Sequence, residues 1–572
     1  MAVWQPDTAG GRWPSTLSAT LAAAALYTTW VVVSWAWNSR RPRDYPPGPK
    51  TKLWLGNILD MPATRQYIRY SELGDEYGEL VGLKFATQNV VVLNSARVVN
   101  ELLDKRHDIY SGRVYHGILK HVMAEGPHIT ISEGEYLRRW RAAARILLKP
   151  SALREVLPQN AAAAASCVAQ ILEASDNNTN ADGSGDHSEP VFRAIEAWAM
   201  MGPLKAVCGI SGANRDPAWT QWYMDFSKIN LEIMEPAAIP PLDLFPFLHY
   251  VPAALAPWKT AARRVNADRE EICNLTLRNA RAGYARRKEA YGDEEKNAGG
   301  FESLMARVLR EQEEGDPDRK NRFTSEEMAK IGGGLLEASI HTTLASFRSW
   351  LKILCAHPRV VARIQEELDA VCGTERPPTA EHIRSLPYLD ACLQEAWRWR
   401  IPTPVSLPHR LTQDDVFEGY RIPKDTVIIQ NTYRILHDPA FFDAPDDYVP
   451  ERYLDNPAGL RPELAAAGKS GTAGAAAYSR ATSFVFGAGR RACPGDSFSW
   501  QSMMALMAKL LWACDLRPTE GGGAAGVDVS PEGYFGETLI DPLPWRFVVV
   551  PRSAERRRAA EDDAAELAPL LD

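Results

Sequence analysis

Leu17 to Trp37 is an uncharged run of 21 residues, L-S-A-T-L-A-A-A-A-L-Y-T-T-W-V-V-V-S-W-A-W. As a helix it is about 30 Å long, the thickness of one bilayer hydrocarbon core. Trp30, Trp35 and Trp37 gather at its C-terminal end, and Arg40, Arg41 and Arg43 follow directly. Interfacial aromatics followed by arginines predict a membrane anchor with the downstream chain on the cytosolic side. A cleaved signal peptide fits less well, because the run is long, its leading segment is not basic and no clear cleavage site follows. Pro42, Pro46, Pro47 and Pro49 then make a stiff, non-helical linker.

Beyond the linker the apolar pattern switches between short strands and long helices. Glu79–Phe85 and Asn89–Leu93 read as two strands around a polar turn, and Ser95–Lys105 as a short helix. Glu133–Leu148 is a basic amphipathic helix, and Asp176–Glu189 a polar loop. Pro236–Pro257 carries too many prolines for a regular helix. Thr324–Cys355 is the longest helical pattern, opened by the capping box Thr324-Ser-Glu-Glu327 and about 45 Å long. Leu386–Trp399 is a further apolar helix, and 419–422 and 426–431 read as strands. Residues 456–483 are rich in Ala and Gly and read as a surface insertion. Residues 533–552 read as a hairpin, and 554–572 as a charged tail without an evident role.

Composition narrows the function classes. The 572 residues include 65 basic and 72 acidic ones, net −7, with no strongly basic domain, so nucleic acid is not an expected partner. Eight cysteines are scattered without a C-x-x-C pair, which speaks against a zinc module or a disulfide framework and fits a reducing compartment.

One of these cysteines, Cys493, lies in F484-V-F-G-A-G-R-R-A-C-P-G-D-S-F498, between two glycines and beside Arg490 and Arg491. An apolar helical pattern begins directly after it. Neighbouring arginines and a helix N-terminus both lower a thiol's pKa, so the loop is expected to present a thiolate to a metal. A buried structural cysteine in a Gly-rich turn is the plainer reading. The spacing favours the first, because Phe486, Gly489, Arg491, Cys493 and Gly495 fill every fixed position of F-x-x-G-x-R-x-C-x-G. The stretch therefore resembles the haem-binding loop of the cytochrome P450 family.

Further motifs carry the same resemblance in the same order. Glu395-Ala-Trp-Arg398 resembles the family's E-x-x-R pair, and Pro450-Glu-Arg452-Tyr453 its P-E-R-F segment with Tyr for Phe. A338-S-I-H-T-T343 resembles the oxygen-activating motif (A/G)-G-x-(D/E)-T-(T/S), with Ser339 for the glycine and His341 for the acid. Gly332, Gly333 and Gly334, one turn earlier, fit either close helix packing or close approach of a flat cofactor. The resemblance implies a mainly α fold with small β-sheets behind an N-terminal transmembrane helix. It divides the chain into residues 1–16, an anchor at 17–38, a hinge at 39–50, a haem domain at 51–553 and the tail at 554–572.

The resemblance also implies roles. Haem b (iron protoporphyrin IX) is the expected cofactor, with Cys493 as its iron ligand and Phe486 beside it. Trp140, His409 and Arg491 are expected at the propionates, together with Arg141 or Arg145, since Ala144 stands where the family has its helix arginine. Thr342 and His341 are expected at the oxygen site, and Glu395, Arg398 and Arg452 as a structural charge network. The implied activity is a fungal-type monooxygenase that inserts one oxygen atom of O2 into an apolar small molecule of secondary metabolism. NADPH–cytochrome P450 reductase is its implied partner, and the endoplasmic reticulum membrane its place, with the catalytic domain cytosolic. A reductase-independent rearrangement or dehydration enzyme and a non-catalytic haem-binding membrane protein are the alternatives.

Overall fold

Apolar positions three and four apart make most of this chain helical. The computed structural model describes residues 16–114, 117–123, 128–178, 186–210, 217–235, 238, 240, 242, 245–291, 301–314, 322–464, 481–519 and 526–571. The longer helices used below are α1 (Thr16–Asn38), α2 (Gln66–Tyr77), α3 (Gly134–Leu147), α4 (Pro150–Asn178), α5 (Ser188–Pro203) and α6 (Pro217–Met234). After them come α7 (Pro257–Tyr291), α8 (Ser325–Ala356), α9 (Pro358–Cys372), α10 (Pro387–Trp399), α11 (Asp496–Ala513) and α12 (Ala554–Leu567).

Helix α8 begins where the capping box is expected. Thr324 Oγ1 accepts the Glu327 N–H at 3.1 Å, and Glu327 accepts the Thr324 N–H at 2.8 Å. Most of α8 is buried in the main core, against α5, α7 and α10. Its three glycines serve close packing. A Cβ on Gly332 would lie 2.5 Å from Thr276 Oγ1, one on Gly333 would collide with Cys273 Sγ, both on α7, and one on Gly334 would press on Ile129.

The strands form small sheets. β1 (Leu80–Phe85) and β2 (Gln88–Leu93) pair antiparallel, and with β3 (Gly112–Arg113), β4 (His409–Arg410) and β7 (Val427–Gln430) they make a five-stranded sheet ordered β1-β2-β7-β4-β3. β5 (Asp415–Phe417) and β6 (Tyr420–Ile422) form a separate pair. Several expectations change. The hairpin expected over 533–552 is split: β9 (Tyr534–Phe535) pairs with β10 (Asp541–Pro542), while β11 (Phe547–Pro551) pairs with β8 (Cys514–Pro518). Pro542 and Pro544 remove two ladder donors between them. Helix α4 runs into the expected loop as far as Asn178, and α5 starts at Ser188. Residues 179–185 lie outside the described set, as do 465–480 of the expected insertion.

The charged tail is docked rather than free. Arg556 donates to the Trp512 carbonyl at 2.9 Å and to Asp369 at 2.7 Å, Arg552 grips the same carboxylate through both nitrogens, and Lys509 of α11 meets Asp563 of α12 at 2.5 Å.

At the other end, α1 contains a helix segment, Ala19–Asn38, long and apolar enough to cross a membrane. Its last turns touch the domain: Trp35 Nε1–H donates to the Trp54 carbonyl at 3.0 Å, and its ring stacks on Phe245, 6.0 Å between centroids. Phe247, Tyr250 and Leu255 are exposed nearby in sequence. Deleting residues 1–38 is expected to shift most of the protein off membranes while holoprotein still forms. Fractionation after a high-salt wash checks this. An unchanged membrane fraction would place the main attachment on the Phe247–Leu255 surface instead.

Candidate active site

Loop geometry sets the cysteine. Gly489 adopts φ +63°, and a Cβ there would collide with the Leu103 carbonyl, so only glycine fits. Its N–H donates to Asp104 Oδ1 at 2.7 Å. The Cys493 N–H then donates to the Phe486 carbonyl at 2.7 Å, and the Gly495 N–H to Cys493 Sγ at 3.3 Å, three residues before α11. The Phe486 ring stands edge-on to Trp397, 5.2 Å between centroids. The Cys493 side chain is open to solvent, yet protein surrounds it on most sides, and that burial pushes its thiol up. The Gly495 N–H and the Arg141 guanidinium pull the other way.

Here the expectation about the two arginines fails. Arg490 pairs with Asp108 at the surface, and Arg491 donates to the carbonyls of Ser111 (3.0 Å) and Ser132 (2.7 Å). Arg141 is the cation beside the thiol, and its Nη1 donates to the Ala492 carbonyl at 2.5 Å. Arg145 is exposed, so Arg141 is the one that turns inward. Trp140 is buried next to it.

A second cationic group gathers at the short strand pair. Register places Arg113 of β3 opposite His409 of β4, so their side chains share a face. Arg113 was not legible in the sequence, because a two-residue strand leaves no periodicity. Its Nη1 donates to the carbonyls of Leu407 and Pro408, while its Nε is buried without a partner. Arg491 Nη1 is also buried without a partner. Burial and then the charge of Arg491 lower Arg113 to about 9, and burial foremost lowers Arg491 to about 10. His409 shares a hydrogen bond with the Tyr110 carbonyl at 2.8 Å, so Nδ1 carries the proton. Burial, then Arg113, drives its pKa well below the usual histidine range.

On α8, Ala338 and Thr342 are exposed, one turn apart on a helix whose neighbouring residues are largely buried. Thr342 Oγ1 donates to the Ala338 carbonyl at 2.7 Å. His341 lies about 100° further round the helix, and its Nδ1 meets Ser227 Oγ of α6 at 2.6 Å. Burial, then Arg348, lowers its pKa to about 4, so it is neutral near pH 7. Thr342 thus faces open space, while His341 ties α8 to α6.

Glu395, Arg398 and Arg452 come together as expected. Glu395 Oε2 accepts from Arg398 Nε at 2.7 Å and from Arg452 Nε at 3.0 Å, and Glu395 and Arg398 are fully buried.

These groups fit a haem: an accessible thiol in a glycine-bent loop, an open Ala–Thr helix face, and two guanidiniums, each with a buried unsatisfied donor that a carboxylate would meet. Such a set defines a haem-thiolate protein. The cytochrome P450 family model matches residues 46–528. The cytochrome P450 monooxygenase grgG of a Penicillium species is 33% identical over 537 residues, covering 92% of this chain and 91% of the relative. The cytochrome P450 monooxygenase yanC of Aspergillus niger is 30% identical over 539 residues, covering 93% and 94%. A zebra fish cytochrome P450 solved with abiraterone shares the fold at a TM-score of 0.62 and 21% identity, over 85% of this chain and 100% of that one. The chain belongs to the cytochrome P450 family. It is an oxidoreductase whose cofactor is haem b.

Proposed function

We propose that this protein is an anchored monooxygenase of fungal secondary metabolism. It inserts one oxygen atom of O2 into an apolar small molecule and takes electrons from NADPH–cytochrome P450 reductase at the endoplasmic reticulum. The observation that carries the reading is the open Cys493 thiol in its complete loop, in a chain that also opens Ala338 and Thr342 on α8. Fungal monooxygenases as relatives support the class and the setting. Bound haem supplies the oxidising chemistry. Cys493 would ligate it, Arg113, Arg491, His409 and Trp140 would hold its propionates, and Arg141 braces the Cys loop. The test is a stoichiometry of NADPH, O2 and product with reductase present, in cells or membranes fed candidate apolar substrates.

The chain's own proton handling centres on Thr342. Its hydroxyl proton is directed at the Ala338 carbonyl, which leaves the Oγ1 lone pairs toward the open face. His341, turned to α6 and held on Ser227, is the proposed proton relay to Thr342 by way of bridging water: a neutral imidazole both accepts and donates. Thr342→Val and His341→Ala are expected to lower product per NADPH severalfold and release peroxide, whereas His341→Asp keeps most of the coupling. Unchanged coupling in both Thr342→Val and His341→Ala would leave His341 as a packing tie alone. The replacement of the usual acid by His341, with its ring turned to α6, gives the redox-neutral reading its one specific support. Product formed without NADPH or reductase would select that reading.

A further inference from the structure

Two carboxylates join three elements: the β9–β10 turn, the start of α2 and the end of α6. Glu537, in the β9–β10 turn, is buried and accepts the backbone N–H groups of Arg65 and Gln66 (2.8 Å for Gln66), which open α2. Glu235, directly after α6, accepts the N–H of Glu537 at 3.0 Å and that of Thr538 at 3.4 Å. The turn is thereby clamped from both sides, by its own carboxylate onto α2 and by its backbone onto the end of α6. Arg65 holds φ +57°, a left-handed conformation that a non-glycine residue keeps only under restraint. Strand β10 and α6 both reach α8, at positions that follow and precede Thr342 in sequence. Asp541 of β10 pairs with Arg348 at 3.0 Å, and Ser227 of α6 bonds His341. Beyond Glu235 the chain leads to Phe245, which stacks on Trp35 of the anchor.

We propose that Glu235 and Glu537 form a proton-controlled latch that holds the β9–β10 turn between α2 and α6 and so governs the entry of bulky molecules. Burial first, then the charge of Glu235, pushes Glu537 up to about 7, against the pull of the Gln66 N–H and Arg65. Arg65 also faces Glu532 at 3.9 Å, and Tyr67 and Tyr70 of α2 complete the titratable surroundings. When the latch opens, Glu537 enters water and returns to the ordinary carboxyl value of 4.5. The closed form therefore binds the proton more tightly, so closing takes up a proton between these two values. Falling pH through 7 closes the latch, rising pH opens it, and the effect levels off above the upper value. The interval bounds the change in the opening equilibrium at roughly 300-fold, tenfold per unit.

The test is stopped-flow binding of 1-adamantyl isocyanide to the reduced full-length holoenzyme in nanodiscs, from pH 6 to 8.5. Methyl isocyanide serves as the small control, and neither probe titrates in this range. The ratio of adamantyl to methyl association rates is expected to rise at least threefold from pH 6 to 8 in the wild type. Glu537→Gln, which mimics the protonated carboxyl, should give a low ratio at every pH, and Glu537→Ala a high one at every pH. Glu235→Gln removes the repelling charge and should move the midpoint to lower pH. A flat wild-type ratio, or a Glu537→Gln profile that follows the wild type, overturns the latch. The Gln variant keeps the clamp's size and an acceptor oxygen, so it decides the matter even if the Ala variant does not fold.

Discussion

Cys493→Ala is expected to abolish the thiolate-type spectrum of the reduced, carbon-monoxide-bound protein and all monooxygenase turnover. No other side chain among the described residues stands ready to replace it. Cys167, Cys208, Cys273, Cys355, Cys392 and Cys514 are buried in the core, Cys372 is half-buried, and only Cys493 is open. The loop is also built around that sulfur. The Cys493 N–H is fixed on the Phe486 carbonyl, and the Gly495 N–H points at Sγ, which favours the anionic form. Burial raises the thiol nonetheless, and a bound cation would favour its deprotonation. Cys493→His separates ligation from folding: it is expected to retain haem with a neutral-donor spectrum and no turnover. A thiolate-type spectrum surviving in Cys493→Ala would remove Cys493 as the ligand.

Whatever depended on neighbours in sequence was legible, and whatever depended on distant packing was not. The Thr324 cap, the i,i+3 pair Glu395/Arg398 and the Cys loop lie within a few residues, so spacing reports them. The same locality misled at Arg490 and Arg491. Adjacent charges looked like partners of the thiol, but the bend at Gly489 sends one to Asp108 and the other to two carbonyls. Arg113 was missed because its role follows from pairing with a strand roughly 300 residues later. The last helix read only as a charged tail without an evident role, although Arg556 and Asp563 hold it to α9 and α11. The glycines of α8 fitted two readings, and only the atoms of α7 chose between them. His341 was expected to line the oxygen site with Thr342, but one residue along a helix is a large turn, and its ring goes to Ser227 of α6 instead.

Glu395→Ala is expected to cost about 3–5 kcal/mol of stability and most of the haem content, because it leaves two guanidiniums facing an empty site. Glu395 Oε1 accepts from Arg398 Nη2 and from the Val449 N–H, both at 2.9 Å, while Oε2 serves Arg398 Nε and Arg452 Nε. No carboxylate lone pair direction is wasted, and no water is needed to satisfy it. Arg398 extends the network outward. It donates to the carbonyls of Leu436 (2.9 Å), Pro445 (2.8 Å) and Asp447 (3.0 Å), and so fastens the segment that follows α10. Arg398→Ala is therefore expected to match Glu395→Ala, and Arg398→Lys to rescue little, because an ammonium cannot span a carboxylate and three carbonyls. Arg452 lies nearer the surface, with the Asp443 carbonyl at 2.9 Å as its main other acceptor. Its loss leaves Glu395 still paired, so about 1–3 kcal/mol is expected. The measurement is thermal unfolding together with haem per polypeptide for each variant. The expected order of damage is Glu395 and Arg398 equal, then Arg452, with no change in product selectivity among the molecules that retain haem. Wild-type haem content and unfolding temperature in Glu395→Ala and Arg398→Ala would show that solvent replaces the lost partners, and the network would then be a surface pair in effect.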